Sequence, residues 1–171
     1  MKKVFILGAA AFLLFLWGCT QGDSPQEEPV DWPYGGVIAH RNDRMSSYSR
    51  AEIDGCDFIT SSEGSLVTGY YENEKLQIIK IAIYQSRHRV ILRFYPLGEA
   101  VAMIGETIIY ATDKPLSEIT EDDLHLRDFV QAVIADGQVH HYIDHQSMYP
   151  VNDSWYAEVY VKAVEALGNA G

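Results

Sequence analysis

The stretch HRVILRFY, residues His88–Tyr95, decides the fold class because its side chains alternate between two sides of an extended chain. One side carries Val90, Leu92 and Phe94, and the other carries Arg89, Ile91, Arg93 and Tyr95. A repeat of two residues is the signature of a half-buried β-strand. The stretch therefore predicts a strand with one face in the core and the other partly in solvent.

The flanking segments predict further strands joined by short turns. KLQIIKIAIY, residues 75–84, is apolar on both faces and predicts a central strand. CDFITSS (56–62), SLVTGYYE (65–72) and AVAMIGETIIYAT (100–112) are also strand-like, and Gly105 predicts a break or bulge in the last of them. Short connections make sequential strands antiparallel. We therefore expect a β-meander.

Residues 120–144 allow two interpretations. Leu126, Phe129, Val130, Val133 and Ile134 fit helical spacing after a possible cap at Thr120. Against a helix, Asp136-Gly137 between two apolar runs is a strong hairpin signal. We favour a hairpin from Phe129 to Asp144, with at most one helical turn at Thr120.

Helices are expected near both ends of the folded region. Residues 42–55, NDRMSSYSRAEIDG, begin with cap-type residues and predict a short helix. Residues 152–168 have caps at Asn152 to Ser154 and end at Gly168. Their apolar stripe comprises Trp155, Val159, Ala163 or Val164, and Leu167. The expected fold is α+β, an antiparallel β-meander sheet packed by a C-terminal helix, with a short N-terminal helix.

Residues Thr60 to Ile81, TSSEGSLVTGYYENEKLQIIKI, resemble the entry to the sheet in small uncharacterised secreted proteins and lipoproteins of Gram-negative bacteria. The likeness consists of an acidic-Gly turn, a Tyr-Tyr strand end, a polar turn and an aliphatic return. ADGQVHHYID is similar to a second such hairpin. This chain has NEK where those proteins have a Gly-containing turn. The resemblance implies an antiparallel sheet with helices and brings no activity or catalytic residues.

The N-terminus predicts a secreted, lipid-anchored protein. Lys2 and Lys3 precede the short apolar run Val4 to Gly18, which suits a signal peptide better than a membrane span. Leu16-Trp17-Gly18-Cys19 resembles a bacterial lipobox, although Trp17 departs from the small or aliphatic residue usual there. The resemblance implies cleavage before Cys19 and its lipid attachment, palmitate included. The alternatives are an ordinary signal peptide with an incidental Cys, or an uncleaved anchor.

The expected organisation is a signal peptide (1–18), a lipid-anchored flexible tether (19–36) and a single β-rich globular domain (37–171). Thr20 after the modified Cys favours the outer membrane, on a face that the sequence does not specify. Cleavage would change the formal net charge from −11 to −13, because Lys2 and Lys3 leave and no acid does. Such a chain repels nucleic acid, so nucleic-acid binding is excluded, and membrane contact is assigned to the lipid.

Few residue clusters suggest chemistry. A lone Cys56 is expected to be structural, because free Cys is commonly buried. A cluster of His140, His141 and His145 with Asp144 lacks strong zinc spacing. The acids Glu121, Asp122 and Asp123 suit a helix start as well as acid–base work. Arg87, His88, Arg89 and Arg93 form a basic patch, either a solvated face or a site for an acidic partner or sugar phosphate.

These features favour a non-enzymatic binding or assembly module of the cell envelope, anchored in the outer membrane through Cys19, with a protein or glycan partner. No G-x-S-x-G or P-loop motif occurs in the chain. The rival hypothesis is an envelope hydrolase acting on glycan or peptide, with carboxylates or His assembled by the fold. A third hypothesis is metal capture by the three His. We assign no catalytic residue, metal ligand or cofactor.

Overall fold

The computed structural model describes residues 32–54, 58–111, 114, 118–120, 123–144 and 153–169. Within these ranges seven strands form one sheet, and each strand pairs antiparallel with the next in chain order. The strands are β1 (Ser49–Asp54), β2 (Ser65–Glu72), β3 (Lys75–Gln85), β4 (His88–Leu97), β5 (Ala100–Tyr110), β6 (Leu124–Ala135) and β7 (Gln138–Asp144). Helix α1 (Gly35–Asp43) precedes the sheet and helix α2 (Asp153–Asn169) follows it. The predicted α+β fold with a β-meander and a C-terminal helix is confirmed.

The face of the sheet that packs against α2, here the helix face, holds the larger core. Val90, Leu92 and Phe94 of β4 lie in it, as the alternation of HRVILRFY predicts. Helix α2 contributes Tyr156, Val159, Ala163 and Leu167. Of the two alternatives in the predicted stripe, Ala163 is buried and Val164 is exposed, so the stripe follows the Ala163 register.

The hairpin interpretation of residues 120–144 is correct and the helical one is wrong. Strand β6 begins at Leu124, earlier than predicted, and pairs with β7 across Asp136 and Gly137. Both turn residues have positive φ, 52° and 72°. This is the backbone that favours Asp-Gly in a two-residue hairpin turn.

The short N-terminal helix lies earlier than predicted. Helix α1 spans Gly35–Asp43, and Ser49–Asp54 within the predicted helical segment is strand β1. In β1 the exposed Arg50 and Glu52 alternate with the half-buried Ala51 and Ile53, so a period of two governs this segment. Trp32 and Tyr34 pack in the same cluster as Ile38, so the folded region starts before residue 37.

Two strand predictions need correction. Strand β5 is continuous through Gly105, and its register shift lies at Ile109/Tyr110. Gly105 is required for packing: a Cβ there would lie 2.4 Å from Val130 Cγ1. Cys56 lies outside the described residues, and Phe58 to Ser62 contains turns and bends, with no strand. The strand predicted for CDFITSS is therefore absent over its described part.

The turn between β2 and β3 has a backbone that suits glycine, although no glycine is present. Asn73 and Glu74 have φ values of 51° and 64°, and Glu72 pairs with Lys75 across them. Positive φ at both central residues defines a type I′ turn, whose second position is usually Gly. The NEK sequence therefore keeps the turn backbone that the resemblance implies, with strain at Glu74.

Replacing Glu74 by Gly should therefore stabilise the protein. A side chain in the left-handed region costs about 1–2 kcal/mol, partly offset by the extra freedom of Gly in the unfolded chain. We expect Glu74→Gly to raise the free energy of unfolding by about 0.5–1 kcal/mol, measured by urea denaturation. Gly137→Glu, at the matching position of the β6–β7 turn, is the reciprocal control and should destabilise. A loss of stability in Glu74→Gly would contradict the assignment of backbone strain to Glu74.

The other side of the sheet, here the open face, is covered in two separate places. Near the β2–β3 and β4–β5 turns, α1 covers Ile78, Tyr95 and Ala102. Arg41 of α1 donates to the carbonyl oxygens of Gln77 (2.9 Å) and Pro96 (2.8 Å), which joins the helix to the sheet. At the other end, Ile91, Ile108 and Tyr110 form a smaller cluster with Ile119. A band of charged side chains begins between these clusters and continues beside the second one.

Candidate functional site

Five charged residues from four strands form this band, which we call the charged strip. Its members are Lys80 on β3, Arg89 and Arg93 on β4, Glu106 on β5 and Arg127 on β6. Strand register places them on the open face, because directly paired residues share a face. The pairs that establish this are Lys80 with Arg93, Arg93 with Ile104, Arg89 with Ile108, and Ile108 with Arg127. Glu106, two residues from both Ile104 and Ile108, lies on the same face.

Glu106 is the one carboxylate of the strip, and two cations share it. Its Oε1 lies 3.0 Å from Arg127 Nε, and its Oε2 lies 3.8 Å from Arg93 Nη1. The Glu106 side chain is 12% exposed, whereas those of Arg93 and Arg127 are 26% and 46% exposed. The strip therefore carries four basic groups against one acid, in a protein whose formal net charge is −11.

The pKa of Lys80 shows that the cations of the strip repel each other. Burial is the main cause that lowers the pKa of Lys80, and the charges of Arg93 and Arg89 lower it further. Glu106 and Glu52 act in the opposite direction but do not cancel these effects. Lys80 and Arg93 are also direct cross-strand partners, and like charges in that position destabilise a sheet. The Lys80–Arg93 pair therefore acts against stability, while the ion pairs of Glu106 with Arg93 and Arg127 act for it.

Arg89 borders an open cleft at the end of the strip. The cleft has a volume of about 470 Å³, and its lining residues are Arg89, Ile108, Tyr110, Ile119, Thr120, Leu124 and Arg127. The Nε atom of Arg89 is buried and has no hydrogen-bond partner among the described residues. A buried donor of a charged group normally has a partner, so this atom requires explanation.

The basic patch predicted from sequence is only partly assembled by the fold. Arg89 and Arg93 share the open face, but His88 pairs with Ile109 and has the same strand parity as Val90 on the helix face. Arg87 lies in the turn before β4. The structure adds Lys80, Glu106 and Arg127, which sequence reasoning missed. Their alternation along their strands was a signal, but only the register between strands brings them together.

The predicted histidine cluster is only partly within the described residues. The side chain of His140 is exposed. The backbone of His140 pairs with Val133, and the backbone of His141 pairs with Ala132. A register shift then pairs residue 144 with Val130, so the regular pairing of β6 with β7 is interrupted between Ala132 and Gln131. His145 lies outside the described residues. Within the described ranges, no group of three or more His, Cys, Asp or Glu side chains is placed to hold a metal ion.

Asp123 has a structural role in the turn before β6. Its carboxylate accepts bonds from Lys114 Nζ at 2.8 and 3.1 Å, and from the Thr120 backbone N–H at 3.0 Å. The Lys114 hydrogen bond is the main cause that lowers the pKa of Asp123, followed by the Thr120 backbone bond. This acid therefore orders a single 3-10 turn that leads into β6, because the Asp123 backbone N–H donates to the Thr120 carbonyl oxygen at 3.1 Å. The one helical turn expected at Thr120 takes this form. Glu121 and Asp122, and also Cys19, lie outside the described residues.

Comparisons with known proteins add no assignment for the charged strip. No helix among the described residues is both long and apolar enough to cross a membrane. No protein-family model, no curated protein and no solved structure matches the chain.

Proposed function

We propose that this protein is a lipid-anchored binding module of the bacterial outer membrane, and that its open face contacts an envelope partner. Lipid on Cys19 would hold the chain at the membrane, and the tether would allow the domain to reach its partner. The lipobox resemblance supports the anchor. The charged strip supports the binding surface, which we assign to a protein or glycan of the envelope.

The observation that carries this proposal is the concentration of four cations around one acid on an otherwise acidic protein. Solubility alone is served by interspersed charges of both signs. Here the lowered pKa of Lys80 and its pairing with Arg93 act against stability. Features that cost stability without helping the fold are characteristic of functional sites. The strip is therefore the surface that we assign to the partner.

Phe129 adds an aromatic contact beside the strip. Its side chain is 43% exposed, and it pairs with Glu106 across β5 and β6. Position 129 therefore shares the open face with Glu106 and Arg127. Aromatic residues and Arg are enriched at protein interfaces, where burial of the ring supplies much of the binding energy. This combination favours recognition of a partner over a purely solvated surface.

Site-specific photo-crosslinking in intact cells tests the proposal. A benzophenone amino acid in place of Phe129 should yield one dominant crosslinked species. The matched control is the same amino acid at Val161, an exposed residue (51%) of α2 on the other side of the sheet. A benzophenone side chain captures both proteins and glycans, so neither class of partner is missed. Equal products at the two positions, or none at either, would contradict the assignment of the open face.

The anchor is tested in the same cells with Cys19→Ala. This variant should lose labelled palmitate, leave the membrane fraction and lose the crosslink at position 129. Uptake of palmitate by Cys19→Ala, with retention at the membrane, would exclude the lipid attachment. A crosslink that persists in the soluble variant would place the partner away from the membrane, so the two parts of the proposal fail separately.

A further inference from the structure

We infer that the cleft bordered by Arg89 and Arg127 binds a phosphate monoester carried on a partly apolar molecule. This inference adds a small-ligand site to the proposed contact with a protein or glycan, and it rests on that proposal only for its biological context, because the cleft can be tested on the purified protein. It identifies the ligand chemistry from the donors, the charge and the walls of the cleft.

The unpaired donor of Arg89 is the first argument. Its buried Nε–H has no acceptor among the described residues, although Arg89 lines an open cleft. A guanidinium presents a planar fork of N–H groups that matches the oxygens of phosphate. A phosphate oxygen in the cleft would accept a charge-assisted hydrogen bond from the part of this guanidinium that lines the cleft, and would partner the Nε–H once the side chain turns toward it.

The net charge of the strip indicates a doubly charged anion. Arg89 and Arg127 line the cleft, and with Lys80, Arg93, Glu106 and the neighbouring Glu52 they leave two positive charges on this part of the open face. A phosphate monoester carries about −1.5 to −2 at neutral pH, whereas a carboxylate carries at most one negative charge. The phosphate therefore offsets more of the repulsion that Lys80, Arg89 and Arg93 exert on each other.

The walls of the cleft determine the rest of the ligand. Ile108, Tyr110, Ile119 and Leu124 contribute apolar surface beside the two arginines. The volume of about 470 Å³ lies in the range of small-molecule sites. A bare phosphate ion would leave this apolar surface in water. An ester with an aromatic or alkyl group would cover it and bind more tightly.

Glu106 makes the inference sharply testable because its carboxylate competes with the ligand. It lies 3.0 Å from Arg127 Nε and offsets the charge that this cation would present to the ligand. Glu106→Gln should therefore strengthen phosphate binding several-fold, although it removes an ion pair. A misfolded variant would lose binding, so a gain of affinity cannot result from unfolding.

The experiment is isothermal titration calorimetry of the full-length lipidated protein in non-ionic detergent, with phenyl phosphate as the probe. Arg89→Gln should weaken binding about 10- to 100-fold, the effect expected for a lost charge-assisted hydrogen bond. Lys162→Gln, on an exposed position of α2, is the matched control and should leave affinity unchanged. Benzoate and inorganic phosphate should both bind more weakly than phenyl phosphate.

The source of the phosphate is distinguished by a second probe, dihexanoyl phosphatidic acid, which presents the same monoester as a lipid headgroup. Tighter Arg89-dependent binding of this lipid would identify a membrane source, and tighter binding of phenyl phosphate a soluble one. The inference is overturned if neither probe saturates, or if Arg89→Gln and Lys162→Gln bind alike. A crosslink at position 129 that persists after such a failure would leave the proposed binding function intact.

Discussion

Phe94→Ala should lower the free energy of unfolding by about 3–5 kcal/mol, the range for deleting a large aromatic side chain from a core. Phe94 is fully buried in the middle of β4. Its ring lies on the helix face with its centroid 5.5 Å from that of Tyr160, so it joins the sheet to α2. The truncation removes this contact and leaves a cavity that the rigid sheet cannot close.

The neighbouring residue is the control for Phe94. Arg93 occupies the next position on the same strand but projects to the open face, where its side chain is 26% exposed. It makes a 3.8 Å ion pair with Glu106 and opposes Lys80. Because the attraction to Glu106 and the repulsion from Lys80 partly cancel, Arg93→Ala should change the free energy of unfolding by less than about 1 kcal/mol. Urea denaturation measures both variants, and equal losses would contradict the division into a structural face and a charged face.

Gly105→Ala should destabilise the protein by about 1–3 kcal/mol through overpacking. The new Cβ would lie 2.4 Å from Val130 Cγ1 and 3.2 Å from Leu92 Cδ2. Both neighbours are in the helix-face core, so neither side chain can move into solvent. Relief requires a shift of β5 relative to β4 and β6, which disturbs pairing along three strands.

Truncation of Val130 tests the cause of this loss. The double variant Gly105→Ala/Val130→Ala should be less destabilised than the sum of the two single variants, with a coupling of about 0.5–3 kcal/mol. Gly36→Ala in α1 is the control, because a Cβ there meets nothing within 4 Å. It should stabilise slightly, since Ala favours the helix more than Gly. Additive losses at positions 105 and 130 would show that the close approach is not responsible.

The elements whose pattern is local and strong are the ones that the sequence predicts correctly. The alternation in β4, the apolar run of β3 and the Asp136-Gly137 turn each specify a structure within about ten residues. The stripe of α2 also predicts which face packs on the sheet. In these cases local preference and burial point to the same structure.

The elements that the sequence analysis misplaced depend on distant contacts. Helix α1 has one buried residue, Ile38, and is secured by bonds from Arg41 to carbonyls on β3 and β4. Gly105 suggests a bulge when read alone, and only the position of Val130 shows why it is glycine. Such information is absent from a short window of sequence.

Only part of the charged strip could be predicted from the sequence, for the same reason. Arg89 and Arg93 are four residues apart on one strand, so the alternation of side chains along β4 already places them on the same face. Lys80 and Arg127 join them only through the registers of β3 with β4 and of β5 with β6. The anchor at Cys19 and the envelope location remain predictions from the N-terminal sequence.

Proton–nitrogen NMR of the arginine Nε–H groups tests most directly whether the charged strip binds phosphate at Arg89. Arg89→Gln identifies the Arg89 resonance, and phenyl phosphate is then titrated into the full-length protein in non-ionic detergent. The Arg89 resonance should move in a saturable way, and the Arg127 resonance should move with it. An unmoved Arg89 resonance, or equal and unsaturated shifts of all arginines, would contradict the assignment of this face as a phosphate-binding surface.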